Sequence, residues 1–319
     1  KGVYQPDAIS SFQNNGNTFY ISANEGDARD YSGFSSETRI KNLTLDSITF
    51  PNRIELQNDS NLGRLHTFTA NVMGDIDNDG DVDELYSYGA RSFSIWDSTG
   101  NLVWDSGDEI EKYMAENHAD FFNCNDGKSS KSDSRSDDKG PEPESIITGE
   151  IGGKTYAFVG LERQGGILIY DISNPLDPVF DQYIQNIDTS TGLMKDIAPE
   201  GILFIPNTES HTGSNLLIVS NEVSGTATIY EVSDNLTSLN NKVKDLSVNI
   251  FPNPSINEVT IETNEKINVT FINSFGQLVL SKNIDFTSNM NISHLHNGVY
   301  FVKITNNKNE TKIVRMVKI

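Results

Sequence analysis

The stretch PESIITGEIGGKTYAFVGLE, Pro143 to Glu162, is a pattern that the chain writes three times. Each copy begins with a Pro-acidic-small-Ile tetrad: Pro6-Asp7-Ala8-Ile9, Pro143-Glu144-Ser145-Ile146 and Pro199-Glu200-Gly201-Ile202. A polar turn and an apolar strand follow, and a glutamate closes the strand at Glu25, Glu162 or Glu222. The two acids of a copy stand 18, 18 and 22 positions apart. In the last two copies a Gly turn leads into a matching strand, GGILIYDI and GTATIYEV. Short strands repeated in this way predict an all-β fold, a β-propeller in which each blade needs its neighbours to bury its faces. The chain opens at Lys1 inside a repeat, with neither an initiator Met nor a signal peptide. The expectation is therefore a partial propeller whose N-terminal blades are missing, with a signal peptide upstream.

Blade symmetry carries equivalent positions toward one axis. It predicts that Asp7, Glu25, Glu144, Glu162, Glu200 and Glu222 converge, with Arg29, Lys139 and Arg163 as neutralising cations. Carboxylates gathered so closely raise one another's pKa unless a cation intervenes. The competing reading has each acid capping a turn in its own blade and facing water.

Composition narrows the function. The 319 residues carry a net charge of −21, with 36% hydrophobic and 9% aromatic residues, enough for packed cores. From Leu246 onward seven Lys and Arg face five Asp and Glu, so the acidic excess lies wholly in the first part. Such a field repels nucleic acid and anionic membranes and attracts divalent cations. The single cysteine, Cys124, excludes an internal disulfide and reads as a small buried hydrophobe. No apolar run reaches the roughly 20 residues of a membrane-spanning helix.

Between Asn71 and Asp97 the chain reads NVMGDIDNDGDVDELYSYGARSFSIWD. Asp75, Asp77, Asp79, Gly80 and Asp83 form D-x-D-x-D-G-x-x-D, and the carbonyl of Asp81 falls at the seventh position. Calcium takes six to eight oxygens, which alternating acids on a Gly-pivoted loop supply. Tyr86 stands where an EF-hand needs its bidentate Glu. The spacing resembles instead the calcium loops in β-hairpins of integrin-type propellers, leading into a strand ELYSYGARSFSIWD. Further on, Ser94 to Trp104 predicts strand, turn and strand around Ser98-Thr99-Gly100. The charged run from Asp105 to Asp138 predicts a short helix with Ile110, Tyr113 and Met114 on one face, then a mobile or ligand-ordered insertion.

Residues 1–240 are thus expected to form the propeller and 246–319 a small, antiparallel, Ig-like β-sandwich, with a polar linker from Leu236 to Asp245. His294 and His296 lack a third ligand type nearby and read as strand-edge residues.

Two resemblances cover nearly the whole chain. The end of the chain, with Phe251-Pro252-Asn253-Pro254, Phe275-Gly276, Gly298-Val299-Tyr300 and KIVRMVKI, resembles the type A sorting domain of the type IX secretion system. That resemblance implies export to the outer cell surface or beyond, with the secretion machinery as partner. ANEGDARDY (23–31), GARSFSIWD (89–97), DSGDEIE (105–111), RSDDKGPEPE (135–144), GLERQGGI (160–167), PEG (199–201) and NEVSGT (221–226) resemble the choice-of-anchor I family. Ser145 and Ala198 stand where that pattern leads one to expect Gly.

The family resemblance implies a propeller and two alternative functions. One is a metal-dependent phosphoric ester hydrolase, alkaline phosphatase-like, with Ca²⁺ and a second divalent metal. Its catalytic candidates are Glu25, Arg29, Glu144, Glu162, Arg163, Glu200 and Glu222, and a phosphate ester is its ligand. The other is a non-catalytic calcium-binding surface, adhesion or mineral-associated protein. No nucleophile stands out, because Ser224 in VSG lacks the glycine framing of a nucleophile elbow.

Overall fold

The computed structural model describes residues 1–188, 192–233, 248–263, 265–274, 276–307 and 311–319. The expected linker, the start of the second domain at Leu246, and Phe275 lie outside these residues. The chain divides into two compact units, Lys1–Thr237 and Ser238–Ile319.

Three antiparallel sheets organise the first unit. The first sheet has the strand order Leu102–Asp105, Phe93–Asp97, Asn17–Ala23, Ile9–Asn14. The second is a meander of Pro143–Ile151, Lys154–Leu161, Ile167–Asp171 and Val179–Ile184. The third is a meander of Pro199–Ile205, Asn215–Asn221 and Thr226–Val232. None of them closes on itself.

The second sheet's central strand explains why its neighbours are needed. Successive side chains of a strand point to opposite faces, and here both faces are buried. Ala157, Val159 and Leu161 join Ile21, Phe93 and Ile95 of the first sheet in one core. Tyr156 and Phe158 join Leu217 and Val219 of the third sheet in another. An all-apolar YAFVGL run is what a doubly covered strand requires. Gly152 and Gly153, at φ 59° and 78°, make the two-residue turn that opens this strand.

The repeat has a defined backbone form. Register shifts fall between Pro143 and Ser145 and between Pro199 and Gly201, so Glu144 and Glu200 are bulge residues at the start of equivalent strands. The residue before each tetrad, Gln5, Glu142 or Ala198, has positive φ. Glu162 N–H donates to the Glu142 carbonyl and Glu222 N–H to the Ala198 carbonyl, each at 2.8 Å. Glu162 and Glu222 thus follow equivalent strands directly.

Three expectations need correction. The stretch ELYSYGARSFSIWD is two strands, Ser87–Tyr88 and Phe93–Asp97, because Gly89 and Arg91 have positive φ and the Gly89 backbone passes against Glu25 and Gly26. The strands on either side of the aspartate loop form their ladders elsewhere, Ser87–Tyr88 with Gly2–Val3 and His66–Phe68 with Glu37–Arg39, and meet each other through the Phe68 N–H to Tyr86 carbonyl bond at 3.1 Å. The insertion after the helix Glu109–Asn117 is tied down rather than loose. Its buried Asn123 donates to Glu111 Oε1 at 2.7 Å and Ser136 Oγ at 2.9 Å, and Cys124 is fully buried. The helix itself buries Ile110 and Met114.

The second unit has two antiparallel sheets around its own core. One contains Asn249–Phe251, Glu258–Glu262 and Ser288–Asn291; the other contains Leu278–Ile284, Ile267–Asn273, Gly298–Asn306 and Thr311–Lys318. Val259, Ile261, Val269, Phe271, Val302, Ile304 and Met316 fill the space between them.

Candidate functional site

An acidic cluster forms where the first strands of the sheets begin. Asp7, Glu25 and Glu144 each place one oxygen within 4.8 Å of the other two, and Glu25, Glu142 and Glu162 do the same. Glu25 is common to both trios, and Glu142, which the repeat does not single out, is the most deeply buried member and faces three cations. Its side chain is fully buried and accepts Nε of Arg135 at 3.0 Å and a second hydrogen bond from Arg135 NH2. Lys139 Nζ lies 3.1 Å from Glu142 Oε2 and Arg163 Nε 3.6 Å from it. Lys139 also donates to Glu25 Oε1 at 2.5 Å, and Arg163 NH2 pairs with Glu162 Oε1 at 2.8 Å.

Charge and burial divide these acids. Burial opposes ionisation of Glu142, but Lys139 and Arg135 prevail and hold it below its ordinary value. Burial pushes the Glu144 carboxyl up to about 8, reinforced by the charges of Glu162, Glu25 and Asp7. Glu162 rises to about 7 through burial, with Arg163 opposing and Glu142 and Glu25 adding to the rise. Glu144 Oε2 is buried without a hydrogen-bond partner. A neutral carboxyl, or a carboxylate meeting a cation, satisfies such a site.

The other predicted members lie apart. Glu200 is exposed and acts on Glu144 only through its charge. Glu222 is exposed and belongs to neither acidic trio. Arg29 is exposed, with its guanidinium 5.5 Å from the Phe34 ring centroid. Ser224 is a turn residue whose Oγ accepts the Ile197 N–H at 3.0 Å.

The aspartate loop curls on itself. Asp75, Asp77 and Asp83 bring one oxygen each within 4.8 Å of the others, and Asp46, Asp81 and Asp83 form a neighbouring trio. Gly80, at φ 101°, donates its N–H to Asp75 Oδ2 at 3.0 Å, and Ile76 N–H donates to Asp83 Oδ2 at 2.8 Å. Asp79 stays outside both trios and accepts the Asp81 N–H at 3.1 Å. Asp75 Oδ1 is buried with no partner. His294 and His296 are exposed and in no such group.

These features define an all-β protein of two units, with its acidic clusters in the first. The choice-of-anchor I domain matches residues 1–175, more than half of the chain, and the chain belongs to that family. The secretion system C-terminal sorting domain matches residues 249–318, which marks a secreted or outer-surface protein recognised by the type IX machinery. Gigasin-3a of Magallana gigas is 35% identical over 193 residues, covering 56% of this chain and 66% of its own length. The mesenchyme-specific cell surface glycoprotein of Strongylocentrotus purpuratus is 28% identical over 167 residues, 47% of this chain and 19% of its own length. The chain thus spans less than two thirds of either relative. Among solved structures, the BSP domain of a biofilm associated protein aligns with 98% of this chain and 66% of its own at 11% identity and a TM-score of 0.20, a likeness that carries no argument. No helix among the described residues is long and apolar enough to cross a membrane.

Proposed function

We propose that the chain is a calcium-binding protein of the outer cell surface or secreted medium, its first unit consecutive blades of a β-propeller and its second an Ig-like sorting sandwich. The observation that carries the reading is the loop in which Asp75, Asp77 and Asp83 converge with Asp75 Oδ1 buried and unpartnered. Hard oxygen donors on a Gly-pivoted turn suit Ca²⁺, with Asp46 and Asp81 adjoining. The equivalent bulges at Glu144 and Glu200, and sheets packed in chain order, support the propeller. The test is calorimetric Ca²⁺ titration of the full chain. Asp75→Asn and Asp83→Asn are expected to weaken binding by about tenfold or more, and Glu116→Gln to leave it unchanged. Calcium binding unaltered in both loop variants would overturn the reading.

Metal-assisted phosphoester hydrolysis at the acidic cluster is the second reading. It is favoured by the trio Asp7, Glu25 and Glu144 with its buried, unpartnered Glu144 Oε2, where a second divalent ion would polarise a phosphate ester. It ranks second because Lys139 and Arg163, the cations that would meet the phosphate, are engaged by Glu25, Glu142 and Glu162. Metal-dependent turnover of p-nitrophenyl phosphate that disappears in Glu144→Gln supports this reading. Turnover no faster than buffer across Ca²⁺, Mg²⁺, Mn²⁺ and Zn²⁺ ends it.

A further inference from the structure

We propose that His66, Glu37 and Asp138 form a site for a transition-metal dication of the zinc class, distinct in ligands from both the aspartate loop and the Glu142 cluster. Glu37–Arg39 and His66–Phe68 pair antiparallel with Arg39 opposite His66 and Glu37 opposite Phe68. Glu37 and His66 are therefore diagonal neighbours across the pair, within reach of each other for long side chains. Asp138 arrives from the insertion, which His66 itself anchors by donating its N–H to the Asp137 carbonyl at 2.9 Å. The Asp137 carboxylate then receives Arg39 at 2.9 Å and Arg64 at 2.7 Å. Three separate segments are thus fixed around one point, and one donor atom from each of Glu37, His66 and Asp138 lies within 4.8 Å of the other two.

The imidazole decides the chemistry. His66 Nδ1 is buried and has no hydrogen-bond partner, although Glu37 Oε1 is only 2.8 Å away. A nitrogen and a carboxylate oxygen at that separation, with the N–H direction not aimed at the oxygen, have the spacing of two ligands of one ion. Bonds of about 2.0–2.2 Å meeting near right or tetrahedral angles separate adjacent donors by about 3 Å. One nitrogen with two carboxylates suits Zn²⁺ or Co²⁺ and does not suit Ca²⁺ or Mg²⁺, which take oxygen. The two carboxylates balance the charge of a dication. Arg135, 2.7 Å from Asp138 Oδ2, orients the third ligand from outside the site.

The test uses the full chain, freed of transition metals and saturated with Ca²⁺, titrated with Co²⁺ by visible absorption and with Zn²⁺ by calorimetry. One equivalent of Zn²⁺ is expected to bind and to displace Co²⁺. His66→Gln and Glu37→Gln are each expected to lower affinity by about tenfold or more, and Glu116→Gln, on the exposed side of its helix, to leave it unchanged. Because a substitution between paired strands can disturb folding, the ¹⁵N resonances of His66 in the native chain give a second readout: Zn²⁺ is expected to shift Nδ1. Zn²⁺ binding that leaves the His66 resonances in place, or that survives undiminished in both variants, would show that His66 only pairs with Glu37. Absence of Zn²⁺ binding would overturn the proposal outright.

Discussion

Glu142 has no exposed surface and faces Arg135, Lys139 and Arg163, so its charge balances cations that are themselves largely withdrawn from water. Removing one member of a buried pair leaves the others uncompensated, at about 3–5 kcal/mol. Glu142→Gln is accordingly expected to lower the free energy of unfolding by about that amount in urea titration, whereas Glu116→Gln, on the exposed side of the helix, changes it little. Glu144 behaves in the opposite sense. Burial raises its folded-state pKa to about 8, above the ordinary 4.5 of a glutamate, so the folded protein holds a proton that the unfolded chain releases. Its contribution is fully present below the unfolded value and is lost as pH rises toward 8. Without divalent cations the melting temperature is therefore expected to fall between pH 5 and 8, and to fall less steeply in Glu144→Gln. An equal slope in the two proteins would count against the burial of Glu144. The repeat revealed Glu144 because its position is acidic in all three copies. It concealed Glu142, whose counterparts are Gln5 and Ala198, and only the insertion folding back with Arg135 and Lys139 discloses that residue's role.

Strand positions are legible wherever the periodicity is local. Alternation along Tyr156 to Leu161 assigns each residue to one of two faces, and the structure buries both. Phe158 faces the third sheet. Its replacement by Ala is expected to cost about 3–5 kcal/mol, measured by chemical denaturation, because neighbouring sheets leave the cavity little room to collapse. Leu203 sits across from Ile218 in the third sheet and is 53% exposed. Leu203→Ser is expected to change stability by no more than about 0.5 kcal/mol, as at other exposed positions. The aspartate loop shows where local reading stops. Its turn chemistry is written in Asp75 to Asp83, but its flanking strands form their ladders with Gly2–Val3 and Glu37–Arg39. Gly89 breaks the following strand because its backbone meets that of Glu25, a contact no neighbouring residue announces.

Each unit has a core of its own, Val259, Phe271 and Val302 in the second and the two inter-sheet cores in the first. A chain ending at Thr237 is therefore expected to fold, to bind Ca²⁺ as the full chain does, and to lose export, because the sorting domain lies in 249–318. Secretion of that shortened chain at the level of the full one would refute the assignment. By itself the sequence determined the all-β class, the three repeats, the sorting segment and the acid-rich loop, since strand alternation, turn glycines and short motifs depend on residues close together in the chain. Only the tertiary structure decided which acids share a site. It joins Glu25 to Lys139 across 114 positions, buries Glu142 among three cations, and leaves Glu222 and Arg29 in solvent. The reason is physical: electrostatic coupling follows distance and burial, which arise when the insertion and the stacked sheets close over the same few side chains.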